Sequence, residues 1–457
     1  MFNNNTIAAI STAQGSGGIS VIRISGKDAI SITDCIFKSN SNKKLADLKG
    51  YSATYGSIYN KNQHKIDEAI ALVFKAPNSY TGEDVVEISC HGGVYITKSV
   101  LRQVIRAGAT PAQAGEFTKR AFLNGKVDLT EAESIMDIIS AKGKNSARVA
   151  LLSKEGRISK KIEEICNKLI SSAAHLNAWA DYPEEDIEQI SNSKLLTDLK
   201  KTREEMKNLI SSYDKGKVIK EGIDTIIVGK PNVGKSTLMN LLSGSEKSIV
   251  TDIEGTTRDI IEEVVSVGNI ILNLSDTAGL RDTDNPVEKI GVERAKERIQ
   301  NCGLVLAMFD GSQELSNDDR KLLISLIDIP SIAIINKVDL DSTIDIDFIK
   351  HYVKSIVYLS AINGDGIDEL VNVIEEVTGT QDYNPSEIVL LTERQRASAI
   401  RAYSSIDDAI NSLESEMTLD AVTVMIEDAI EELLELTGKK ASEEVINQVF
   451  SKFCVGK

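Results

Sequence analysis

The chain has 457 residues, 42% of them hydrophobic and 26% charged, which is an ordinary composition for a soluble globular protein of about three domains. Its net charge is −16 and it has no long basic run. This argues against tight, autonomous binding of nucleic acid, so contacts to an RNA would have to come from a partner or a local patch.

Five scattered cysteines without a Cys-x-x-Cys pair argue against a disulfide scaffold or a zinc site and fit a reducing cytoplasm. No apolar run reaches about 18 residues and no basic, apolar leader is visible, so we expect neither a membrane span nor a signal peptide.

Residues 1–120 have the pattern of a mixed α/β domain. Strands are predicted at 7–10 and 18–24, on either side of a glycine-rich turn that does not match a dinucleotide fingerprint and favours a hairpin. Further strands are predicted at 69–74 and 84–88, with a turn-rich segment between them.

From Thr130 onward the pattern becomes helical. Thr130 and Glu133 are predicted to form a capping box, and a later helix over 194–213 is predicted to lead into a basic hinge at 215–217. Helical spacing returns near the end of the chain, where one apolar face is followed by Gly438 as helix terminator and Ser442 as the cap of a last helix. The residues of that face are Val422, Ile426, Ala429, Leu433 and Leu436.

Between the helical stretches, alternating strands and helices predict a doubly wound α/β domain. We therefore expect a multidomain α/β plus all-α fold, in which a nucleotide domain is inserted into a discontinuous helical domain. The predicted boundaries are 1–120, 121–217, 218–381 and 382–457.

A phosphate-binding loop is predicted at residues 229–236, which read Gly-Lys-Pro-Asn-Val-Gly-Lys-Ser. A short β-branched apolar run precedes the loop and a helical pattern follows it, which is the context that a P-loop needs. Lys235 would reach the β- and γ-phosphates, and the Ser236 hydroxyl would bind Mg²⁺.

Four further segments follow in the order of a GTPase, each at the end of a predicted strand or helix. Thr257, in Gly-Thr-Thr-Arg-Asp, could offer Mg²⁺ a second hydroxyl, and Asp276 begins Asp-Thr-Ala-Gly. In Asn-Lys-Val-Asp, the Asp339 carboxylate can accept from guanine N1–H and N2–H₂, which adenine cannot offer. The Ser360-Ala361 backbone can meet guanine O6. The predicted GTP-binding residues are Asn232, Val233, Gly234, Lys235, Ser236, Thr237, Thr251, Asp252, Ile253, Glu254, Gly255, Thr256, Thr257, Asp276, Thr277, Ala278, Gly279, Asn336, Lys337, Asp339, Ser360 and Ala361.

The residue after Asp-Thr-Ala-Gly bears on the mechanism. Ras-type enzymes place there a glutamine that orients the attacking water, whereas this chain has Leu280. Another group must orient the water, and another source must supply positive charge. Arg258 and Arg281 are nearby candidates, although each could equally be a surface residue.

The P-loop with Asn232, Leu280, the segments 80–87 and 115–126, and the terminal Phe-Cys-Val-Gly-Lys together resemble one family. It is the MnmE (TrmE) family of tRNA-modification GTPases, and the resemblance covers essentially the whole chain. It implies an N-terminal α/β domain that dimerises and binds 5-formyl- or 5,10-methylene-tetrahydrofolate. The matching folate contacts are Arg23, Glu87, Lys126 and Lys457. Paired pterin donors suit a glutamate, and the glutamate tail of folate suits arginine or lysine.

The resemblance also implies that K⁺ takes the place of an arginine finger, with ligands from Asn232, Thr251, Ile253 and Thr256. Glu288 would orient the attacking water through a bridging water, beside Lys235 and Thr257 as the other catalytic residues. The implied partner is a flavin-containing protein, MnmG, in a heterotetramer or larger complex with the homodimer. Together they would add an aminomethyl or carboxymethylaminomethyl group at carbon 5 of the wobble uridine (U34) of certain tRNAs.

Two other functions stay open. One is a K⁺-dependent GTPase of ribosome assembly, for which we would expect a basic RNA-binding appendage that is not visible here. The other is a folate-responsive module in which GTP acts as a conformational timer.

Overall fold

The computed structural model of the protein describes residues 5–181, 192–244, 263–268, 270–276, 298–381, 384 and 387–457. The chain packs as two compact units. Unit I comprises residues 1–136, 154–199 and 404–457, and unit II comprises 137–153 and 200–403. The four-domain division drawn from the sequence stays a prediction.

Unit I contains a seven-stranded sheet in the order β3-β4-β5-β6-β2-β1-β7. All neighbours pair antiparallel except β1 and β7, which run parallel. The strands are β1 Ile7–Ile10, β2 Ile19–Ser25, β3 Phe37–Ser39, β4 Ser52–Tyr59, β5 Lys65–Phe74, β6 Val85–His91 and β7 Thr110–Pro111. The four strands predicted in this region are confirmed as β1, β2, part of β5 and β6.

Two helices, Ala29–Ile36 and Val94–Arg106, pack on this sheet. Buried side chains from strands and helices form one apolar cluster, which includes Ile22, Ile88 and Val104. This cluster fixes β2 and β6 side by side, so that Arg23 lies directly opposite Glu87 in the register.

The helices Arg157–Asp181 and Leu419–Thr437 pack against each other in unit I. All five apolar residues predicted for one face of the second helix are fully buried, and the helix ends at Gly438 as predicted. Ser442 caps the last helix, Glu443–Ser451, by accepting from the Val445 amide. Helices that precede and follow the α/β segment in sequence therefore pack together. The helix Glu116–Leu123 also lies in unit I.

Two local predictions about the helical region are wrong. The capping box of the helix Leu129–Ser140 consists of Asp128 and Glu131, whose carboxylates accept from each other's backbone amides at 2.8 and 2.9 Å. Thr130 and Glu133 instead lie inside the helix and are buried, because the helix begins two residues earlier than predicted. The helix Asn192–Glu221 runs without a break through residues 215–217, so no hinge exists there.

Unit II contains a six-stranded sheet in the order β13-β12-β11-β8-β10-β9. Its strands are parallel except for the β9–β10 hairpin. They are β8 Ile223–Val228, β9 Glu263–Val267, β10 Ile270–Asp276, β11 Leu304–Asp310, β12 Ser331–Asn336 and β13 Ser355–Leu359. Two apolar clusters include side chains from alternate positions of the central strands, which confirms the predicted doubly wound α/β fold.

Four of the described helices lie wholly within unit II, and the helix Lys144–Lys154 lies there except for its last residue. The four are Lys235–Gly244, Asn317–Ser325, Ile346–Tyr352 and Ile367–Val377. The helix Glu393–Glu414 begins in unit II and ends in unit I. Within the described part of the chain, no helix is both long and apolar enough to cross a bilayer.

Candidate functional sites

The predicted phosphate-binding loop connects β8 to the helix that begins at Lys235. Gly234 has φ +107°, and a Cβ there would lie 2.3 Å from Asn336 Nδ2, so only glycine fits. The Lys235 ammonium donates to the carbonyls of Gly229 and Lys230 at 2.8 and 2.7 Å. Ser236 and Thr237 are exposed in the first helical turn, where free amides and the helix dipole favour an anion. The loop thus has the local structure that a phosphate site needs.

Asn336, at the end of β12, ties the phosphate loop to the base-binding end of the site. Its side chain is buried, and Nδ2 donates to the Val233 carbonyl at 2.7 Å. Its Oδ1 accepts from the Ala361 amide at 2.9 Å. One side chain therefore holds two loops that the sequence assigns to different ends of the nucleotide.

Asp339 and Ser360 come together as the sequence predicts. The Ser360 hydroxyl donates to Asp339 Oδ1 at 2.7 Å, which orients a carboxylate that is otherwise exposed. Such a carboxylate can accept the two donors on the guanine edge. The two residues that the sequence assigns to the guanine end of the site thus lie within hydrogen-bond distance of each other.

Asp310 is a residue of this site that the sequence reasoning missed. Its Oδ2 accepts from Lys337 Nζ at 2.6 Å, and its Oδ1 accepts from the Ser312 amide and hydroxyl at 3.0 and 2.6 Å. Burial alone would raise the pKa of the Asp310 carboxyl, but the hydrogen bonds from Lys337 and Ser312 outweigh it and lower that pKa. The sequence feature that could have identified Asp310 is its position as the polar last residue of the apolar strand β11. In the sheet it pairs in register with Asn336.

Of the residues predicted on the magnesium and hydrolysis side of the site, the structure describes Lys235, Ser236 and the backbone of Asp276. Asp276 ends β10 and is paired in register with Ile227 of β8, so its backbone lies beside the strand that leads into the P-loop. The other residues predicted here lie outside the described residues: Thr251, Asp252, Ile253, Glu254, Gly255, Thr256, Thr257, Arg258, Thr277, Ala278, Gly279, Leu280, Arg281 and Glu288.

The predicted folate contacts lie in unit I, where Arg23 and Glu87 form an ion pair. Arg23 Nη2 and Nε lie 2.8 and 2.9 Å from Glu87 Oε1. The guanidinium also lies 5.2 Å from the centre of the Tyr80 ring and 5.7 Å from that of Phe117. The pair is largely but not fully buried, at 15% and 23% side-chain exposure, so a ligand can still reach it.

The C-terminal residues lie against this ion pair. The Gly456 carbonyl accepts from Ser11 Oγ at 3.1 Å and from Arg23 Nη1 at 3.4 Å. The Lys457 carbonyl accepts from the Phe117 amide at 3.2 Å. Burial, together with the Arg23 and Lys154 charges, lowers the pKa of the Lys457 ammonium. The structure therefore brings Arg23, Glu87 and Lys457 together.

Lys126 is placed differently from the other three predicted folate contacts. Its Nζ donates to the Pro77 carbonyl at 3.0 Å. It also lines a cavity of about 560 Å³ that includes Glu131, Gly438 and Lys439. Its role as a folate contact stays a prediction.

Comparison with known proteins covers both units. Residues 129–454 match the family model of the MnmE helical domain, and residues 6–126 match that of the N-terminus of the GTP-binding protein TrmE. The chain is 43% identical to the tRNA modification GTPase MnmE of Acetivibrio thermocellus, and the match covers 100% of both chains. The chain belongs to the MnmE family.

Two further MnmE proteins match the chain to a similar degree. The MnmE of Clostridioides difficile is 43% identical and that of Alkaliphilus oremlandii is 42% identical, each over the full length of both chains. Among solved structures, Aquifex aeolicus Era bound to GDP and aluminium fluoride is 29% identical and covers 40% of this chain and 66% of its own. Its TM-score is 0.27.

Membership of the MnmE family confirms the resemblance found in the sequence. It also agrees with the site geometry, in which the predicted P-loop and the predicted guanine-binding carboxylate follow strands of one doubly wound sheet. The protein is therefore a GTPase that binds GTP.

Proposed function

We propose that this GTPase is activated by K⁺ and acts with a flavin-containing partner of the MnmG type on carbon 5 of the wobble uridine of certain tRNAs. The product carries an aminomethyl or carboxymethylaminomethyl group, whose added carbon comes from a tetrahydrofolate. The full-length likeness to proteins named tRNA modification GTPases supports the tRNA substrate. One structural observation carries the one-carbon part: the C-terminal residues lie on the Arg23–Glu87 pair.

In this proposal the described half of the GTP site binds and orients the nucleotide. Lys235 moves from the loop carbonyls onto the β- and γ-phosphates, since a phosphate oxygen accepts a charge-assisted hydrogen bond better than a carbonyl does. Ser236 and Thr257 hold Mg²⁺, and Asp339 accepts from guanine. Asn336 keeps the two ends of the site at a fixed separation.

The hydrolysis step needs positive charge against the β–γ bridge and an oriented water. K⁺, held by Asn232, Thr251, Ile253 and Thr256, supplies the charge that an arginine supplies elsewhere. The exposed Asn232 side chain, on a residue with φ +65°, is free to turn toward such an ion. Glu288 orients the water through a second water molecule.

The folate site is formed by Glu87, Arg23, Lys457 and Lys126. The Glu87 carboxylate has one oxygen engaged by Arg23 and a second that can accept from a pterin. The cationic groups of Arg23, Lys126 and Lys457 suit the carboxylates of the glutamate tail. We expect 5-formyl- or 5,10-methylene-tetrahydrofolate to bind here.

The proposed assembly is a cytoplasmic homodimer that joins its flavin partner in a heterotetramer or larger complex. Pairing of two GTP-bound unit II copies would order the loops that hold K⁺, which couples hydrolysis to dimerisation.

Nucleoside analysis of tRNA from a deletion strain tests this function. Loss of the carbon-5 modification at the wobble position, restored by the full chain, is the expected result. Intact wobble uridines together with defective ribosomal subunits would favour the ribosome-assembly alternative. Intact tRNA and ribosomes, with folate still bound by the pure protein, would favour the folate-responsive switch.

A further inference from the structure

A cavity lined by lysines lies in unit I, and none of the residues assigned to folate is among those that line it. Its volume is about 910 Å³, and it is bordered by the helix Ala29–Ile36, by β3 and by the loop that follows β3. Two acidic and five basic residues line it, so the lining carries a formal charge of +3 in a chain whose net charge is −16. The basic residues are Lys27, Lys38, Lys43, Lys44 and Lys75. We call it the lysine cavity.

The two acidic residues of the lysine cavity are engaged with the backbone. Asp34 accepts from the amides of Leu45 and Ala46 at 2.8 and 3.3 Å, and Asp84 accepts from the amide of Ala76 at 2.8 Å. Leu45 is fully buried and anchors the loop in the core of unit I. The carboxylates thus shape the wall of the cavity rather than pair with its lysines.

The five ammonium groups keep their charge available. Lys75 donates to the Ala46 carbonyl at 3.1 Å and Lys38 to Gln63 Oε1 at 2.6 Å, and both acceptors are neutral. The side chains of Lys27, Lys43 and Lys44 are exposed, and their ammonium groups form no hydrogen bond or ion pair with any residue that the structure describes. A multiply charged anion could therefore gain contacts here without breaking existing pairs.

We propose that the lysine cavity binds the phosphate backbone of the tRNA on which the protein acts; this inference rests on the proposed function. An acidic chain repels RNA over most of its surface, so binding requires a local excess of positive charge such as this one. The lysine ammonium is a compact point charge that binds phosphate groups and does not distinguish one base from another. Among the described residues no arginine lines the cavity, so it lacks the guanidinium group that would pair bidentately with the carboxylates of a protein partner. Its concave shape fits a ridge of backbone better than a flat bilayer. The contact positions the tRNA without selecting its sequence.

The direct test compares tRNA binding by the full chain and by two triple variants. One variant is Lys27→Ala, Lys43→Ala, Lys44→Ala. The matched control is Lys61→Ala, Lys98→Ala, Lys452→Ala, which removes three exposed lysines of the same unit that lie outside the cavity. The probe is a labelled tRNA transcript with an unmodified wobble uridine, titrated at salt concentrations from about 50 to 200 mM.

We expect the cavity variant to bind the transcript roughly tenfold or more weakly at the lower salt concentration, with a salt slope smaller by about three. The control should bind like the unaltered chain. GTP hydrolysis should be the same in all three proteins, which shows that the cavity variant is folded. Equal affinity and slope in the two variants, or no binding of tRNA by the unaltered chain, would overturn the proposal.

Two further measurements separate this inference from its alternatives. In one of them, vesicles that contain an anionic phospholipid replace the transcript. Binding of vesicles but not of tRNA through these lysines would overturn the proposal. In the other measurement, each variant is expressed in the deletion strain and the modified nucleosides at the wobble position of its tRNA are quantified. Full modification with the cavity variant, alongside unchanged tRNA binding, would refute the lysine cavity and leave the proposed function intact. Modification that does not depend on the chain at all would refute the proposed function itself.

Discussion

At the scale of single residues, Asn336 accounts for much of the geometry of the nucleotide site. Its carboxamide offers an NH₂ donor group and a carbonyl acceptor in one plane. The NH₂ group donates to the Val233 carbonyl, and the carbonyl oxygen accepts from the Ala361 amide. An aspartate of the same size could not donate to the carbonyl, and a shorter side chain could not reach both loops. The role of this residue is therefore to position the two loops rather than to contact the phosphates.

Replacing Asn336 with alanine should loosen unit II locally. The change leaves a buried carbonyl and a buried amide unpaired, at a cost of about 2–4 kcal/mol in local opening free energy. Hydrogen exchange at the Ala361 amide in the full chain measures this cost. Asn363→Ala, at an exposed position in the same loop, is the control and should change little. Equal protection of the Ala361 amide in the two variants would contradict the positioning role.

Asp339 should decide the choice of base. In Asp339→Asn the side chain loses the second acceptor that guanine needs, so GTP affinity should fall roughly 10- to 100-fold, as for the loss of a hydrogen bond to a charged group. Xanthosine triphosphate, whose ring offers an acceptor where guanine has an amino group, should then bind better than GTP. Competition between the two nucleotides measures the change. Asp341→Asn, an exposed carboxylate two residues away, should keep the preference for GTP, and unchanged discrimination in Asp339→Asn would refute the assignment.

Glu288 should matter for turnover and not for binding. Without an oriented water, Glu288→Ala should hydrolyse GTP about 10²- to 10⁴-fold more slowly. Single-turnover rates and GTP affinity are measured on the same preparation, with Glu293→Ala as a charge-matched control from the same stretch. If the Glu288 variant no longer binds GTP, the residue has a structural role instead.

At the scale of elements, the C-terminal tail is held by backbone contacts that a single methyl group can disturb. Gly456 has φ +99°, and a Cβ there would lie 2.3 Å from the Ile10 carbonyl oxygen. The rigid backbone of β1 cannot move aside, so a larger residue must displace the tail from the Arg23–Glu87 pair.

Gly456→Ala should therefore weaken folate binding. We expect at least a roughly tenfold loss of affinity for 5-formyl-tetrahydrofolate by calorimetry, equivalent to about 1.4 kcal/mol. Gly379→Ala is the control, because Gly379 also has a positive φ, +67°, but open space around its Cβ position. Undiminished affinity in the Gly456 variant would separate the tail from the folate site.

The elements that the sequence predicts well are those with one dominant signal. Central strands such as β8, β11 and β12 are continuous apolar runs, and the GTPase motifs occur where these strands end. β3 was missed because it has only three residues, and β4 because its buried positions are consecutive and include glycine and serine. The capping box was misplaced because Asp128 with Glu131 and Thr130 with Glu133 both fit the pattern, and only the structure shows which pair is at the helix start.

Long-range contacts were the hardest part to predict. Nothing in the local pattern shows that Asp310 pairs with Lys337, or that the tail near residue 457 reaches β1 at the other end of the chain. The predicted folate contacts rest on the family resemblance alone, since each residue taken singly could be a surface charge. The sequence does not predict the lysine cavity either, because its five lysines are dispersed along 49 positions, from Lys27 to Lys75.

At the scale of the whole molecule, the central claim is that a GTPase without a glutamine after Asp-Thr-Ala-Gly uses K⁺ for its missing charge. The Leu280 side chain cannot hydrogen-bond and so cannot orient a water molecule. In the described part of the nucleotide site, the Lys337 ammonium pairs with Asp310 and the Lys230 ammonium pairs with Asp319. The positive charge must then come from outside this set of side chains. A monovalent ion held by loops that order on dimerisation would also make hydrolysis depend on assembly.

GTP hydrolysis in matched K⁺ and Na⁺ buffers, at several protein concentrations, tests this claim most directly. We predict at least roughly tenfold faster hydrolysis in K⁺, because the ion replaces a group that contributes several orders of magnitude elsewhere. The rate per chain should also rise with protein concentration, and Asn232→Ala should remove the difference between the salts. Equal rates in the two buffers at every concentration would contradict the account and direct the search for the charge to Arg258, Arg281 or a partner protein.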